Sequence, residues 1–235
     1  MFVAASSRPA RRRRGRLLAA GFALLLASIF GAATPSAAQT APDPILFIHG
    51  FAGSAGNWNT MISRFQAAGY PSDRLYAITV SSTASNASNA NAVANAVATL
   101  RSRTGAARVD IVAHSMGSLS TRYYLRNLGG TAAVDEWVSL GGPNHGTTWA
   151  YACALFSASC RDMLPASSFL TSLNAGDETP GSVRYGTFWS YCDGIIIPAT
   201  STVLSGATNT NVGCVGHLSL LTNSSVFNQV HDFVR

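Results

Sequence analysis

The sequence predicts an α/β domain: about six parallel strands in one sheet, helices on both faces, and no large cap domain. Two observations lead there. From Pro44 onward, short β-rich apolar runs alternate with stretches of helical period, the pattern of strand, crossover helix and parallel strand. Once an N-terminal leader is set aside, residues 39–235 amount to one domain of ordinary size with no room for a second.

The leader comes first. Arginines at 8, 11, 12, 13, 14 and 16 precede an apolar run over residues 17–33, which exits through Ser36-Ala37-Ala38. A charged start, an apolar centre and a small-residue exit are the pattern of a secretory signal peptide, so residues 1–38 are expected to be removed after Ala38 and the chain exported. No cysteine follows the apolar run to carry a lipid anchor; Sec and twin-arginine export both stay open. The formal charge of +6 comes from 16 basic against 10 acidic residues, and the six leader arginines account for all of that excess. The remaining chain is near neutral and has no lysine, which removes the only support for a nucleic-acid partner.

A short Thr-Ala-Pro-Asp-Pro arm leads into a first strand at residues 45–48. Trp58, Met61, Ile62 and Phe65 then lie at helical spacing and predict a helix with one buried stripe. A strand at residues 75–80 follows, then a Ser-, Ala- and Asn-rich stretch over 81–95 that reads as a solvated loop leading into a helix marked by Val93, Val97 and Leu100. Further strands are expected at 109–113, 134–140, 183–191 and 210–215, with helices at 118–128 and 218–234. Residues 143–182 form an insertion with several large apolar side chains, expected either to line a site as a stiffened flap or merely to pack on the domain.

The most informative residues are Ala113-His114-Ser115-Met116-Gly117, set between an apolar strand and a helix. That context is what a nucleophile elbow requires: a tight turn lifts the serine hydroxyl above the carboxyl edge of the sheet. Alanine stands where glycine is commoner, and its one methyl is expected to fit the turn. A serine hydroxyl needs a base to take its proton and a fixed anion to orient that base. The chain order nucleophile, acid, base favours His217, which follows the last strand between Gly213 and Gly216 and the final helix. His145 comes before the best acid, His114 adjoins the nucleophile and is expected to point into the fold, and His231 lies deep in the last helix. Asp193, at the end of the fifth strand, is the expected acid; Asp177 and Glu178 compete but read as a turn before that strand. Oxyanion donors are expected at the amide of Met116, after the nucleophile, and of Phe51, in the Gly-rich loop after the first strand.

Four cysteines in an exported chain suggest two disulfides, for which three connectivities exist. Cys192 precedes Asp193 and Cys214 lies three residues before His217, so a bond between them would tie the acid loop to the base loop and leave Cys153 with Cys160. Nothing in their spacing suits zinc, and no metal or cofactor is expected.

Four segments together resemble the small secreted bacterial triacylglycerol lipases, a compact branch of the α/β hydrolases. They are His49-Gly50-Phe51, Ala113-His114-Ser115-Met116-Gly117, the stretch Leu140-Gly141-Gly142-Pro143-Asn144-His145-Gly146-Thr147, and Gly216-His217. The resemblance implies hydrolysis of neutral lipid esters through an acyl-enzyme, without a cofactor, with Ser115, Asp193 and His217 as triad and Phe51 and Met116 at the oxyanion hole. Contact with lipid interfaces and a monomer are expected. A short-chain esterase, a polyester hydrolase, an acyltransferase and a non-catalytic binding protein are the alternatives. The insertion over residues 143–182 is larger than the smallest members carry.

Overall fold

The computed structural model describes residues 41–235; the expected signal peptide and its cleavage point lie outside the described residues. Six strands form one sheet in the order β2-β1-β3-β4-β5-β6: β1 (Ile45–Ile48), β2 (Leu75–Ile78), β3 (Val109–His114), β4 (Val134–Leu140), β5 (Arg184–Trp189) and β6 (Thr208–Asn211). Every neighbouring pair is parallel.

Side-chain alternation divides the core into two layers. Leu46 and Ile48 of β1, Ile111 and Ala113 of β3 and Trp137 of β4 face one way, onto α2 (Asn86–Thr104) and α3 (Gly117–Asn127). Ile45, Phe47, Val112, Val138 and Leu140 face the other, onto α1 (Asn59–Ala67) and α6 (Ser224–Phe233). Because both faces are covered, β1 and β3 are buried at every position, and β1 reads in sequence as a continuous apolar run.

Three elements differ from the sequence expectation. The Asn-rich stretch is helical from Asn86, not a solvated loop. Ser85 caps the helix through Ser88 N–H, and the two buried asparagines are partnered: Asn86 with Asp162 and Ser120, Asn89 with Ser81. Strand β6 spans Thr208–Asn211 rather than 210–215, since Gly213 turns the chain away at a φ of 82°. The expected last helix is divided. A 3-10 turn covers His217–Leu221, and Asn223 starts α6 anew by accepting from the N–H groups of Ser225 and Val226.

The insertion folds as a 3-10 turn (Thr148–Ala152), α4 (Ala158–Met163) and α5 (Ser168–Leu173). Arg122 of α3, almost wholly buried, anchors it through Asn174 Oδ1 and the Glu178 carbonyl. Among the described residues no helix is long and apolar enough to cross a membrane.

Candidate active site

Strand order reverses direction at β1: β2 lies on one side of it and β3 on the other. The loops leaving the carboxyl ends of β1 and β3 therefore diverge, and the crevice between them is where open α/β sheets bind ligands. A cavity of about 290 Å³ opens there, lined by Gly50, Phe51, Ala52 and Gly53 after β1, by His114 at the end of β3 and Ser115 just beyond it, and by His217, Leu218 and Leu221 after β6. Trp149 and Met163 of the insertion and Ile195 of the loop after β5 complete its apolar wall.

Ser115 sits at the turn from β3 into α3 with a φ of 53°, one of three non-glycine residues in the left-handed region among the described residues. The turn is held from both sides: Ser115 N–H donates to the Leu140 carbonyl, and its own carbonyl accepts from Ser118 N–H. It also needs small neighbours. A Cβ on Gly50 would stand 2.7 Å from Ser115 Cβ, and one on Gly117 would stand 2.6 Å from the His49 carbonyl. Met116, fully buried, occupies the N-cap of α3, where a backbone N–H has no partner within the helix.

Asp193 and His217 meet at the ends of β5 and β6. His217 Nδ1 lies 2.8 Å from Asp193 Oδ2, both side chains buried, and His217 N–H donates to the Asp193 carbonyl. The other carboxylate oxygen, Oδ1, accepts from the N–H groups of Ile195 and Ile196, so both oxygens are fixed. The Cys192–Cys214 disulfide joins the same two loops, with a Cα separation of 4.8 Å, and the second bridge links Cys153 to Cys160. Gly141, beyond β4 with a φ of 55°, packs against the pair. A Cβ there would stand 2.9 Å from Asp193 Oδ2 and 3.2 Å from His217 Nδ1.

The loop after β1 is fixed by His49, which the sequence marks only as the start of the segment His49-Gly50-Phe51. Val80 N–H donates to His49 Nε2, so that nitrogen is an acceptor and the proton sits on Nδ1, which donates to the Gly50 carbonyl at 2.6 Å. Gly53 N–H donates to the same carbonyl. The oxygen and the hydrogen of one trans peptide point opposite ways, so this arrangement turns the Phe51 N–H away from His49. Burial holds the His49 pKa below the ordinary histidine value, which keeps Nε2 available to Val80.

The other candidates lie elsewhere. His145 bonds Glu178 at 2.7 Å on the partly exposed side of the insertion, and Asp177 Oδ1 caps its own turn through Thr179 N–H. His231 packs among Phe65, Tyr70 and Phe227. Among the described residues no three His, Cys, Asp or Glu side chains gather as metal ligands would. The sequence could not have shown the backbone contacts of His49 and His114, since partners 31 and 103 positions away leave no local pattern.

A family model described as Lipase (class 2) matches residues 42–229. The mature form of a lipase from Bacillus licheniformis is similar over 83% of this chain and 93% of its own, at 19% identity and a TM-score of 0.72. Lipase B from Aspergillus fumigatus matches over 79% of this chain and 51% of its own, at 19% identity and a TM-score of 0.67. A metagenomic carboxyl esterase matches over 81% and 69%, at 17% identity and a TM-score of 0.65. At these identities the likeness to solved structures speaks for the fold.

Proposed function

Since this chain belongs to the class 2 lipase family, and is thus a lipolytic carboxylic ester hydrolase, we propose that it is a secreted lipase acting on neutral acyl esters, triacylglycerols foremost, through a serine acyl-enzyme. The observation that carries the reading is the convergence of three loops on one apolar cavity, with Ser115 on a strained turn and His217 held by a buried carboxylate.

In the proposed cycle His217 Nε2 takes the proton of Ser115 Oγ as the oxygen attacks the ester carbonyl. The N–H groups of Phe51 and Met116 hold the developing oxyanion, and fixed donors of that kind supply much of the catalysis in such reactions. His217 then passes its proton to the departing alcohol, leaving Ser115 acylated. Water repeats the two steps and frees the acid. Asp193 keeps the imidazole in the tautomer with Nδ1 protonated and stabilises its charged form.

Neutral esters suit the surroundings. From Gly194 to Val230 the sequence has no Asp, Glu, Lys or Arg, so charged substrates find no partner along that rim. Leu155, Phe156, Tyr151 and Leu218 stand exposed, an apolar fringe of the kind that marks contact with a lipid surface. Two disulfides and the expected leader support export to an oxidising compartment.

The test is hydrolysis of a chain-length series of neutral esters by the mature oxidised protein, with labelling of Ser115 by a fluorophosphonate. Long-chain activity and labelling, both absent in Ser115→Ala, are expected. Activity confined to short chains would make the protein an esterase, and activity retained in Ser115→Ala would overturn the mechanism.

A further inference from the structure

We propose that His114, the residue before the nucleophile, is a positioning residue that holds the main chain of His217 at the distance proton transfer with Ser115 requires; this rests on the roles proposed above for those two residues. His114 ends β3, so its backbone is continuous with Ser115. Its side chain leaves that segment altogether: Nε2 lies 3.1 Å from the carbonyl oxygen of His217.

The hydrogen bond fixes the tautomer. A carbonyl oxygen only accepts, so Nε2 carries the proton and Nδ1 is bare. The His217 peptide groups are then gripped at both ends, the N–H by the Asp193 carbonyl and the C=O by His114. The two grips have different consequences. Every bond to Asp193, through main chain or side chain, ties the base to the acid loop and moves with it. The bond from His114 ties the base to the segment bearing Ser115, so of these contacts it alone sets the spacing between base and nucleophile.

The ring also packs against its neighbour, with centroids 4.5 Å apart and planes tilted by 41°. Toward the loop after β1, a Cβ on Gly50 would stand 3.1 Å from His114 Nδ1 and 3.3 Å from Ser115 Oγ. One buried ring thus touches the segments expected to supply nucleophile, base and oxyanion donor. A second positive charge so close would oppose the imidazolium that His217 becomes during attack. Burial, reinforced by the His217 charge, pushes the His114 pKa down to about 3, so the ring stays neutral throughout the range in which a histidine base works.

If His114 only filled space, an apolar side chain of similar size would serve. The experiment compares His114→Leu, which removes the donor, with His114→Gln, whose amide nitrogen has a similar reach. For both, kcat and KM are measured on a soluble short-chain ester, together with the rate of Ser115 labelling by a fluorophosphonate and the melting temperature. Misplacing a reacting group by about 1 Å can cost on the order of 100-fold in rate, so His114→Leu is expected to lose roughly 10- to 100-fold in kcat and in labelling rate, with KM little changed. His114→Gln is expected to recover most of both. If the leucine variant does not fold, His114→Phe, which keeps a ring over His217 without the donor, takes its place with the same expectation.

A folded donor-free variant that matches the wild type in kcat and labelling overturns the proposal, as does a folded glutamine variant no better than the donor-free one. Failure of the underlying reading looks different: wild-type Ser115 would then not be labelled at all, whatever residue stands at 114.

Discussion

His217 Nδ1 stands 2.8 Å from Asp193 Oδ2, and neither side chain has appreciable contact with solvent. An amide in place of that carboxylate cannot compensate the imidazolium and favours the wrong tautomer. Asp193→Asn is expected to lower kcat on the order of 10³- to 10⁴-fold, by analogy with the well-studied serine protease triad, with KM changed far less. Steady-state kinetics on a soluble ester check this. A loss of less than tenfold would mean that another group orients His217.

Gly141 offers a test that leaves all the proposed catalytic side chains in place. Alanine there would place a methyl 2.9 Å from Asp193 Oδ2 on a backbone with a φ of 55°. The strain costs on the order of 1–3 kcal/mol, and the displaced acid–base pair lowers kcat by roughly 100-fold. Gly141→Ala is therefore expected both to melt earlier and to lose turnover, and a variant showing only the first effect would separate the fold from the site.

Asp110, buried in β3 with one carboxylate oxygen unpartnered, sets a pH dependence far from the cavity. Burial, reinforced by the charges of Asp43 and Asp135, holds its pKa well above 3.8. The native state therefore keeps a proton that the unfolded chain releases, and this contribution to stability is full below pH 3.8 and is lost as the pH rises. Asp110→Asn removes the titration. Its melting temperature relative to the wild type is expected to increase between pH 4 and pH 8, with no such trend below the unfolded-state value. A difference independent of pH would contradict the assignment.

The exposed fringe predicts a separation of adsorption from turnover. Leu155 and Phe156 are 86% and 81% exposed within the short loop closed by Cys153–Cys160, beside the 3-10 turn that carries Trp149. Fully burying such a side chain contributes about 1.5–3 kcal/mol. The double change Leu155→Ser with Phe156→Ser is expected to weaken sedimentation with a triacylglycerol emulsion at least tenfold while kcat/KM on a dissolved short-chain ester stays near wild type. Equal losses in both assays would place these residues in the cavity's function instead.

The fold was legible where burial on two faces leaves a signature. The strand β1 is an unbroken apolar run and β3 and β4 are rich in apolar residues, and the limits of all three in sequence and structure nearly coincide. It was illegible at β6, where Thr-Asn-Thr-Asn lies at an exposed edge with no apolar face to show, and in α2, whose Asn-rich first turns are stabilised by Asp162, Ser120 and Ser81. The loops carrying Ser115, Asp193 and His217 could be assigned from element order, because a parallel sheet gathers all its carboxyl ends on one edge. The contacts that hold those loops were hidden. His49, His114 and Gly141 act through backbone atoms or through the space they leave, and neither has a residue-type code.

His217 follows the least protected strand of the sheet. With β5 on one side and no strand among the described residues on the other, β6 has the short, solvated character of an element that frays before the body of a domain unfolds. Fraying there would carry the imidazole away from a cavity otherwise intact. The Cys192–Cys214 bridge removes that freedom by fastening the far end of the fraying segment to the loop of Asp193. While it is closed, heat inactivation and global melting are expected to coincide. Once it is reduced they are expected to separate, inactivation coming at the lower temperature and reversing on cooling, with early amide exchange confined to the segment between β6 and the base.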